Sequence, residues 1–342
     1  MSKSSGSNRK VAIVGATGAV GEVLLRVLES RNFPVAELRP LASERSVGTT
    51  VEFRGKKLPV GLAEPDAFEG MDFVFFAATG ELSKTLGPEV GKRGGIAIDK
   101  SGTWRMHPEV PLVVPEVNGA AVEKHKGLLA SPNCTTMPFV MALEPLRRLA
   151  KLRRAVVTTF QAVTGAGSPG LDELEAQQRA VQDGKPLPKP EKFARQIANN
   201  VVPLCETFRD DAYSTEEVKL LYETRKILDD AEFEVAMTCV RVPVPVGHSM
   251  SVLLETERPI SPDEARRALA AFPGVVVMDD PSKNVFPTPA DAAGRDEVFV
   301  GRIRRDLTSD RLWLWAVGDN LRKGAATNAV QIAEELMRRG LR

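Results

Sequence analysis

The segment KVAIVGATGAVGEVLLRVLES, residues 10–30, constrains this chain more than any other stretch. Four apolar residues, Val11 to Val14, run into Gly15, Gly18 and Gly21, and a helical apolar period follows at Val20, Val23, Leu24, Val27 and Leu28. This reads as a buried strand, a glycine turn and an amphipathic helix. Glycines let the backbone approach a pyrophosphate, and a helix N-terminus offers free N–H groups and the positive end of its dipole. The spacing is G-x-x-G-x-x-G rather than G-x-G-x-x-G, and glycines alone would require only a tight turn. The strand before them and the helix after them make Gly15, Thr17, Gly18, Ala19, Val20 and Gly21 candidates for holding a dinucleotide.

Short apolar runs follow: LRPLAS (38–43), DFVFFAAT (72–79), GIAID (95–99), PLVVPEV (111–117) and GLLAS (127–131). Such runs between polar or glycine-rich stretches suit the strands of a buried parallel sheet. Where the second strand ends, a fold preferring NAD would carry Asp or Glu for the ribose hydroxyls. Here ASERSVG places Ser43, Arg45 and Ser46, an arginine between two hydroxyls, which suits a 2′-phosphate. NADP is therefore the expected cofactor, against the alternative of an exposed loop in which Glu44 neighbours Arg45.

The balance of 46 basic against 45 acidic residues gives no global field toward nucleic acid or a membrane surface. No apolar run reaches transmembrane length. The opening MSKSSGSNRK lacks an apolar secretory core and reads as a disordered tail. Three cysteines, far apart and without C-x-x-C spacing, argue against a disulfide framework or a metal site and for a reducing cytoplasm. Cys134 differs from the other two. It lies in SPNCTTMPFVMALEPLRRLAK, among Asn133, Thr135 and Thr136, with Pro138 placed like a first-turn proline. A thiol just ahead of a helix N-terminus is favoured as thiolate. Cys205 and Cys239 lie in apolar surroundings and are expected to be inert.

Five motifs, GATGAVG, SPNCTT, FQAVTGAG, RVPVPVGHS and DNLRKGAATNAV, occur in one order over residues from about 10 to the end. Together they resemble the aspartate-semialdehyde dehydrogenase family. The resemblance implies an α/β fold: a Rossmann-type dinucleotide-binding domain, a second α/β domain with a mixed sheet, and a C-terminal helix returning to the first domain. The expected layout is a tail (1–9), an NADP-binding domain (10–132), a catalytic and dimerisation domain (133–319) and the returning helix (320–342). In that last segment Ala326, Ala329, Val330, Ala333, Leu336 and Met337 form an apolar face, and Glu334–Arg338 and Glu335–Arg339 are i,i+4 pairs.

The implied reaction interconverts aspartate semialdehyde, inorganic phosphate and NADP⁺ with aspartyl phosphate and NADPH, in the pathway to lysine and diaminopimelate, threonine, methionine and isoleucine. Cys134 is the implied nucleophile, forming a thioester that splits one hard step into two. His248, after RVPVPVG, is the implied acid–base partner; His107 and His125 read as solvated bystanders. Arg241 opens the same motif and would grip a substrate carboxylate with a bidentate fork. Seven positions separate Arg241 from His248, so a regular strand would set them on opposite faces; Pro243, Pro245 and Gly247 break that regularity.

By the same resemblance Glu216 takes the substrate amine, Lys219 and Arg105 the phosphate, and Gln161 positions substrate. Asn133 contacts phosphate or orients the substrate carbonyl. Thr164, Gly165 and Asn320 lie toward the nicotinamide. Glu216 and Lys219 are also i,i+3 neighbours that would form a plain ion pair, and Ser214 with Glu217 fits a capping box. Gly-Thr-Trp precedes Arg105 where the family has small polar residues and a Phe. A homodimer through the second domain is implied; LWLWAVGDN (312–320) would place Trp313 and Trp315 near that interface or, more ordinarily, on the packed face of a sheet. Three rival readings are an N-acetyl-γ-glutamyl-phosphate reductase, whose Gly-Cys-Tyr setting is absent, a short-chain dehydrogenase using Tyr222 and Lys226, which leaves Cys134 and His248 without roles, and an NADP-binding structural or sensor protein, which would need the Cys134 and His248 pair to be lost.

Overall fold

The computed structural model describes residues 8–341; the expected tail lies outside the described residues through residue 7, and Arg9 already belongs to the first strand. Two compact units form. One takes the chain through Pro132 and again from Ala325, the other Asn133–Gly324.

The first unit runs β1 (Arg9–Val14), α1 (Ala19–Ser30), β2 (Val35–Ala42), β3 (Thr50–Phe53), β4 (Lys56–Pro59), β5 (Gly61–Leu62), β6 (Phe73–Phe76), α2 (Gly80–Lys92), β7 (Ile96–Asp99), α3 (Pro115–Asn118) and β8 (Leu128–Ala130). Six strands form a parallel sheet in the order β5-β2-β1-β6-β7-β8. The order reverses between β1 and β6, and the crevice at their carboxyl ends is where such sheets bind ligands. Val11 to Val14 and Phe73 to Phe75 are fully buried, as continuous apolar runs in a two-sided sheet should be. Gly15 has φ +85°, and a Cβ there would lie 2.5 Å from the Ala77 carbonyl oxygen; a Cβ on Gly21 would lie 2.2 Å from the Gly15 carbonyl oxygen. The glycine turn is thus required by close backbone packing.

Two expectations change here. PLVVPEV is not a strand: Leu112 makes a single bridge to Ala130, and Pro115, with its fixed φ, starts the short helix α3. The hairpin of β3 and β4 had no reading in the sequence. It closes on Arg54 and Gly55, both at positive φ, where Asn-Gly would have been the recognisable signal.

The second unit runs α4 (Thr136–Arg147), β9 (Leu152–Gln161), α5 (Ser168–Gln182), α6 (Thr215–Leu228), β10 (Glu234–Arg241), β11 (His248–Thr256), α7 (Pro262–Ala270), β12 (Val275–Val277), α8 (Pro289–Ala292), β13 (Val298–Arg305) and β14 (Leu312–Gly318). Its mixed sheet has the order β10-β9-β11-β14-β13-β12. Ala155, Val157, Val252, Leu254, Leu312 and Leu314 are buried on the face packed by α4, α6 and α7. The period of two then sends Trp313 and Trp315 to the other face, so they are not on the helix-packed side. There Trp315 packs on Phe160 with ring centroids 5.4 Å apart, and Val156 remains 40% exposed.

Helix α9 (Thr327–Arg338) belongs to the first unit and packs on α1, α3 and β7. Asn328 Nδ2 donates to the Val113 carbonyl and to Ser131 Oγ, and Gln331 Nε2 to Glu116. The Glu335–Arg339 pair forms, but Glu334 is taken by Arg31 through two bonds of 2.9 and 2.6 Å, and Arg338 turns to Glu335 instead.

Candidate active site

In the second unit three strand ends meet. Parallel pairing sets Arg241, the last residue of β10, beside Gln161, the last of β9. Antiparallel pairing brings His248, the first residue of β11, to the same edge of the sheet. The irregular link 242–247 makes this possible, with Gly247 at φ +100°. Cys134 lies in the turn ahead of α4, where the Thr135 N–H donates to Asn133 Oδ1 at 2.7 Å.

Cys134 Sγ is 3.3 Å from His248 Nε2. The His248 ring is fully buried, and its Nδ1 accepts the main-chain N–H of Ala162 at 3.0 Å. Burial, and then the Arg241 guanidinium, hold the imidazole pKa well below its usual range. Arg241, 3% exposed, donates from Nη1 to the Ala162 carbonyl at 2.6 Å. Its buried Nε has no hydrogen-bond partner among the described residues. Gly165 fits between the two side chains: a Cβ there would lie 2.8 Å from Arg241 Nη1 and 3.0 Å from His248 Cε1 and Nε2.

Helix α6 supplies the carboxylates. Glu216 accepts from Asn133 Nδ2 at 3.0 Å, Gln161 Nε2 at 2.9 Å and Thr135 Oγ1 at 3.3 Å, and Lys219 Nζ lies 3.5 Å away. Burial alone would raise its pKa, but Lys219, Gln161, Arg241 and Asn133 together hold it below the ordinary carboxylate value. Lys219 also donates to Glu206. Glu217 closes the capping box with Ser214 and accepts the Cys239 N–H at 3.0 Å. Glu223, seven residues from Glu216 and hence on one helix face, accepts the Asn133 N–H at 2.6 Å. Sequence reasoning passed over Glu223, although that spacing was legible. It also passed over Ala162, whose backbone groups no side-chain pattern announces.

Asn320 and Thr164 brace the His248 turn. Asn320 Oδ1 accepts the Gly247 N–H at 2.9 Å, its Nδ2 donates to Thr164 Oγ1 at 3.0 Å, and Thr164 Oγ1 donates to the Pro245 carbonyl at 2.7 Å.

In the first unit the turn of Gly15, Thr17 and Gly18 leads into α1, which begins with Ala19 and Val20 and buries Gly21. Thr17 Oγ1 lies 3.4 Å from Ser46 Oγ; Ser43 and Arg45 are exposed. Arg105 is buried and donates from Nε to the Ser131 carbonyl at 3.1 Å and from Nη2 to the Lys100 carbonyl at 2.6 Å. The unusual Trp104 before it donates to Ser83 Oγ at 3.1 Å, and Ser83 donates to the buried Asp99 at 2.7 Å. Thr103 Oγ1 donates to the Gly80 carbonyl. Gly-Thr-Trp thus ties the Arg105 loop to α2.

Elsewhere, His107 is exposed and His125 half-buried, its Nδ1 accepting the Gly127 N–H. Burial pushes the Cys205 thiol up to about 12 and that of Cys239 well above the usual value. Among the described residues no cluster of three or more His, Cys, Asp or Glu side chains could hold a metal, and no helix is long and apolar enough to cross a membrane.

A dinucleotide-type sheet and a mixed-sheet unit in which a half-buried Cys meets a buried His define a two-domain dehydrogenase. Residues 10–125 match the NAD-binding domain of semialdehyde dehydrogenases, and residues 143–323 their dimerisation domain. An aspartate-semialdehyde dehydrogenase of Aquifex aeolicus is 52% identical over 336 residues, 97% of this chain and 99% of that protein. The crystal structure of aspartate semialdehyde dehydrogenase II from Vibrio cholerae superposes with a TM-score of 0.94 at 43% identity, covering 97% of this chain and 99% of that one. A structure of that protein complexed with ASA has the same TM-score at 42% identity. The chain belongs to the aspartate-semialdehyde dehydrogenase family, whose members are oxidoreductases with a Rossmann-type nicotinamide dinucleotide domain.

Proposed function

We propose that this chain is an NADP-dependent, phosphorylating aspartate-semialdehyde dehydrogenase. It reduces L-4-aspartyl phosphate to L-aspartate 4-semialdehyde through a thioester on Cys134, with release of inorganic phosphate. The observation that carries the reading is the 3.3 Å contact between Cys134 Sγ and His248 Nε2, beside a buried arginine with an unpaired Nε.

The first unit fits a nicotinamide dinucleotide. Gly15 and Gly21 pack too closely for any side chain, while a Cβ on Gly18 would come no nearer than 3.5 Å to other atoms, leaving room over the N-terminus of α1. Gly15, Thr17, Gly18, Ala19, Val20 and Gly21 would hold the pyrophosphate, and Ser43, Arg45 and Ser46 the 2′-phosphate. Thr164, Gly165 and Asn320 are assigned to the nicotinamide end. When bound, the dinucleotide supplies or takes up the hydride.

The chain's own residues do the rest. The Cys134 sulfur attacks the acyl carbon and expels phosphate. Arg241 offers its Nε edge to the α-carboxylate; a buried guanidinium nitrogen without a partner is costly until an anion pairs with it. Glu216, held ionised, faces the substrate ammonium, and Gln161 fixes Glu216 in place. Arg105, Asn133 and Lys219 serve the phosphate. Val156, Leu253, Trp313 and Trp315 on the open face of the mixed sheet give a homodimer its apolar contact. The expected setting is the cytoplasm, in the synthesis of aspartate-derived amino acids.

The test is NADP⁺ reduction with aspartate semialdehyde, with and without phosphate. Phosphate-dependent turnover by the native chain, lost in Cys134→Ala, supports the assignment. Turnover with N-acetylglutamate semialdehyde in its place, or turnover independent of phosphate, rejects it.

A further inference from the structure

We propose that Glu223 is a positioning residue of the active site: its carboxylate takes the Asn133 main-chain N–H and so completes, from a neighbouring helix, the cap of the turn that carries Cys134. This rests on the thioester reading, in which the Cys134 sulfur is the nucleophile, and it specifies what holds that sulfur in place.

The start of a helix leaves its first N–H groups without partners inside the helix, and a capping side chain supplies one. Asn133 acts in this way ahead of α4. Its carbonyl accepts the Met137 N–H at 3.2 Å, and its Oδ1 accepts the Thr135 N–H at 2.7 Å. In a capping box the residue three positions on is Glu or Gln, and its side chain reaches back to the N–H of the capping residue itself. Helices α6 and α7 are closed in that way, by Ser214 with Glu217 and by Ser261 with Glu264. Three positions after Asn133 stands Thr136, too short to reach back, and its buried Oγ1 has no hydrogen-bond partner among the described residues. Glu223 takes the place of the missing carboxylate. It accepts the Asn133 N–H at 2.6 Å from 90 residues along the chain.

The same face of α6 holds the rest of the turn. Glu216, two helical turns earlier, accepts Asn133 Nδ2 at 3.0 Å and Thr135 Oγ1 at 3.3 Å. Asn133 is thus gripped twice, its main chain by Glu223 and its side chain by Glu216, and Cys134 is the next residue. Gly324 packs closely on Cys134 itself: a Cβ there would lie 3.0 Å from Cys134 Cβ. Glu223 and Asn133 are both buried, so water does not stand in for the acceptor. A carboxylate acceptor makes the bond charge-assisted, and its short length agrees. Lys226, one turn further along α6, provides a cation: burial lowers its ammonium pKa, and the charge of Glu223 works against that lowering.

The consequence is specific to geometry. A donor that loses its acceptor in a buried place turns toward another one, and here the donor is the peptide N–H just ahead of the nucleophile. Rotation of that peptide carries Cys134 with it and lengthens the 3.3 Å approach of Sγ to His248 Nε2. Arg241, Gln161 and Glu216, which hold the substrate in this reading, stand on β10, β9 and the first turn of α6 and keep their own bonds. Loss of Glu223 should therefore slow the chemical step and leave substrate binding nearly as it was.

The test compares Glu223→Gln, Glu223→Asp and Glu223→Leu in the full chain. Each preparation is assayed for phosphate-dependent turnover of aspartate semialdehyde, for alkylation of Cys134 by iodoacetamide, and for its thermal melt. Gln keeps an oxygen at the same reach and exchanges a charged acceptor for a neutral one, so kcat should fall by no more than about tenfold. Asp keeps the charge but is one methylene short, and Leu has no acceptor. Both should lose roughly 10²-fold in kcat, the cost of misplacing a reacting group by about 1 Å, with KM for the semialdehyde within about threefold of native. Alkylation of Cys134 should slow in the same order. Native kcat and alkylation in Asp and Leu, with only a lowered melt, would make Glu223 a plain part of the core and overturn the proposal. So would a loss in Gln as large as that in Leu, which would make charge rather than the bond its contribution. A measurement on the native chain covers the case in which Asp and Leu do not fold. With ¹⁵N-asparagine, the Asn133 amide proton, identified as the signal missing in Asn133→Ser, should lie downfield and move upfield in Glu223→Gln; an ordinary, unmoved shift overturns the proposal. If the native chain shows no phosphate-dependent turnover, the functional reading falls, while the alkylation series and the amide shift still decide the role of Glu223. Native turnover with unaffected Asp and Leu variants removes this proposal alone.

Discussion

Replacing Gly165 by alanine tests the geometry of the site with a single methyl group. The new Cβ would lie 2.8 Å from Arg241 Nη1 and 3.0 Å from two atoms of the His248 ring. Ordinary contact needs about 3.5–4.0 Å, so the neighbours must yield by roughly 0.5–1 Å. Neither moves freely: Arg241 is held to the Ala162 carbonyl at 2.6 Å, and His248 to the Ala162 N–H at 3.0 Å. The φ of Gly165 is not in the positive range, so the backbone itself accepts alanine. Overpacking of this kind costs about 1–3 kcal/mol. Misplacement of reacting groups by about 1 Å costs on the order of 10² in rate. The expectation is therefore a loss of roughly 10–100-fold in kcat/KM for aspartate semialdehyde, with a raised KM from Arg241 and a lowered kcat from His248. Steady-state kinetics and a thermal melt on the same preparation decide it. Native kinetics for both terms would refute the crowding argument. A rise confined to the KM for NADP⁺ would instead make Gly165 a cofactor contact alone.

Cys134→Ala should abolish turnover, while Cys205→Ala and Cys239→Ala should leave kcat within about twofold, both thiols being buried and held protonated; initial rates on the three variants check this. Arg241→Lys keeps the charge but loses the fork, so kcat/KM for the semialdehyde should fall by about 10–100-fold, the worth of one or two charge-assisted bonds, mainly through KM. Arg45→Ala should lower kcat/KM for NADP⁺ by roughly 10–100-fold and hardly touch NAD⁺; parallel changes with both cofactors would make Arg45 a plain surface charge. His248 also predicts a pH slope of stability. Its folded pKa lies below the unfolded value of about 6.5, so below that pH the unfolded chain binds a proton that the native chain does not. Stability should therefore fall as pH drops below about 6.5, by up to about 1.4 kcal/mol per pH unit from this group. Denaturant melts from pH 7 to 5 should show a flatter slope in His248→Gln, and an unchanged slope would contradict the burial argument.

Much of this was legible in the sequence because it rests on local pattern. The strand–glycine–helix opening, the short buried strands and the capping box at Ser214 depend on neighbours in the chain. Cys134 stood out because polar residues surround it. What escaped depends on partners distant in sequence. Glu334 was read against Arg338, its helical neighbour, but meets Arg31 some 300 residues away. For the tryptophans of β14 the sequence leaves both an interface and a packed face open, and the buried leucines beside them decide which face they take. Ala162 holds both Arg241 and His248 through backbone atoms, which every residue carries, so no residue type could have marked it.

The place of α9 in the first unit has a consequence for how the protein is made. The chain through Pro132 lacks the helix on which α1, α3 and β7 pack, and that helix is encoded beyond Gly324. The intervening unit is continuous and can close as soon as it has emerged from the ribosome, since domains generally fold as units during synthesis. The nucleotide unit, first to be translated, is thus the second to be completed. Until then the surface that will receive Ala329, Val330, Ala333 and Leu336 is uncovered. The order of synthesis and the order of completion run in opposite directions, and the early strands must wait, exposed to aggregation, for their last partner.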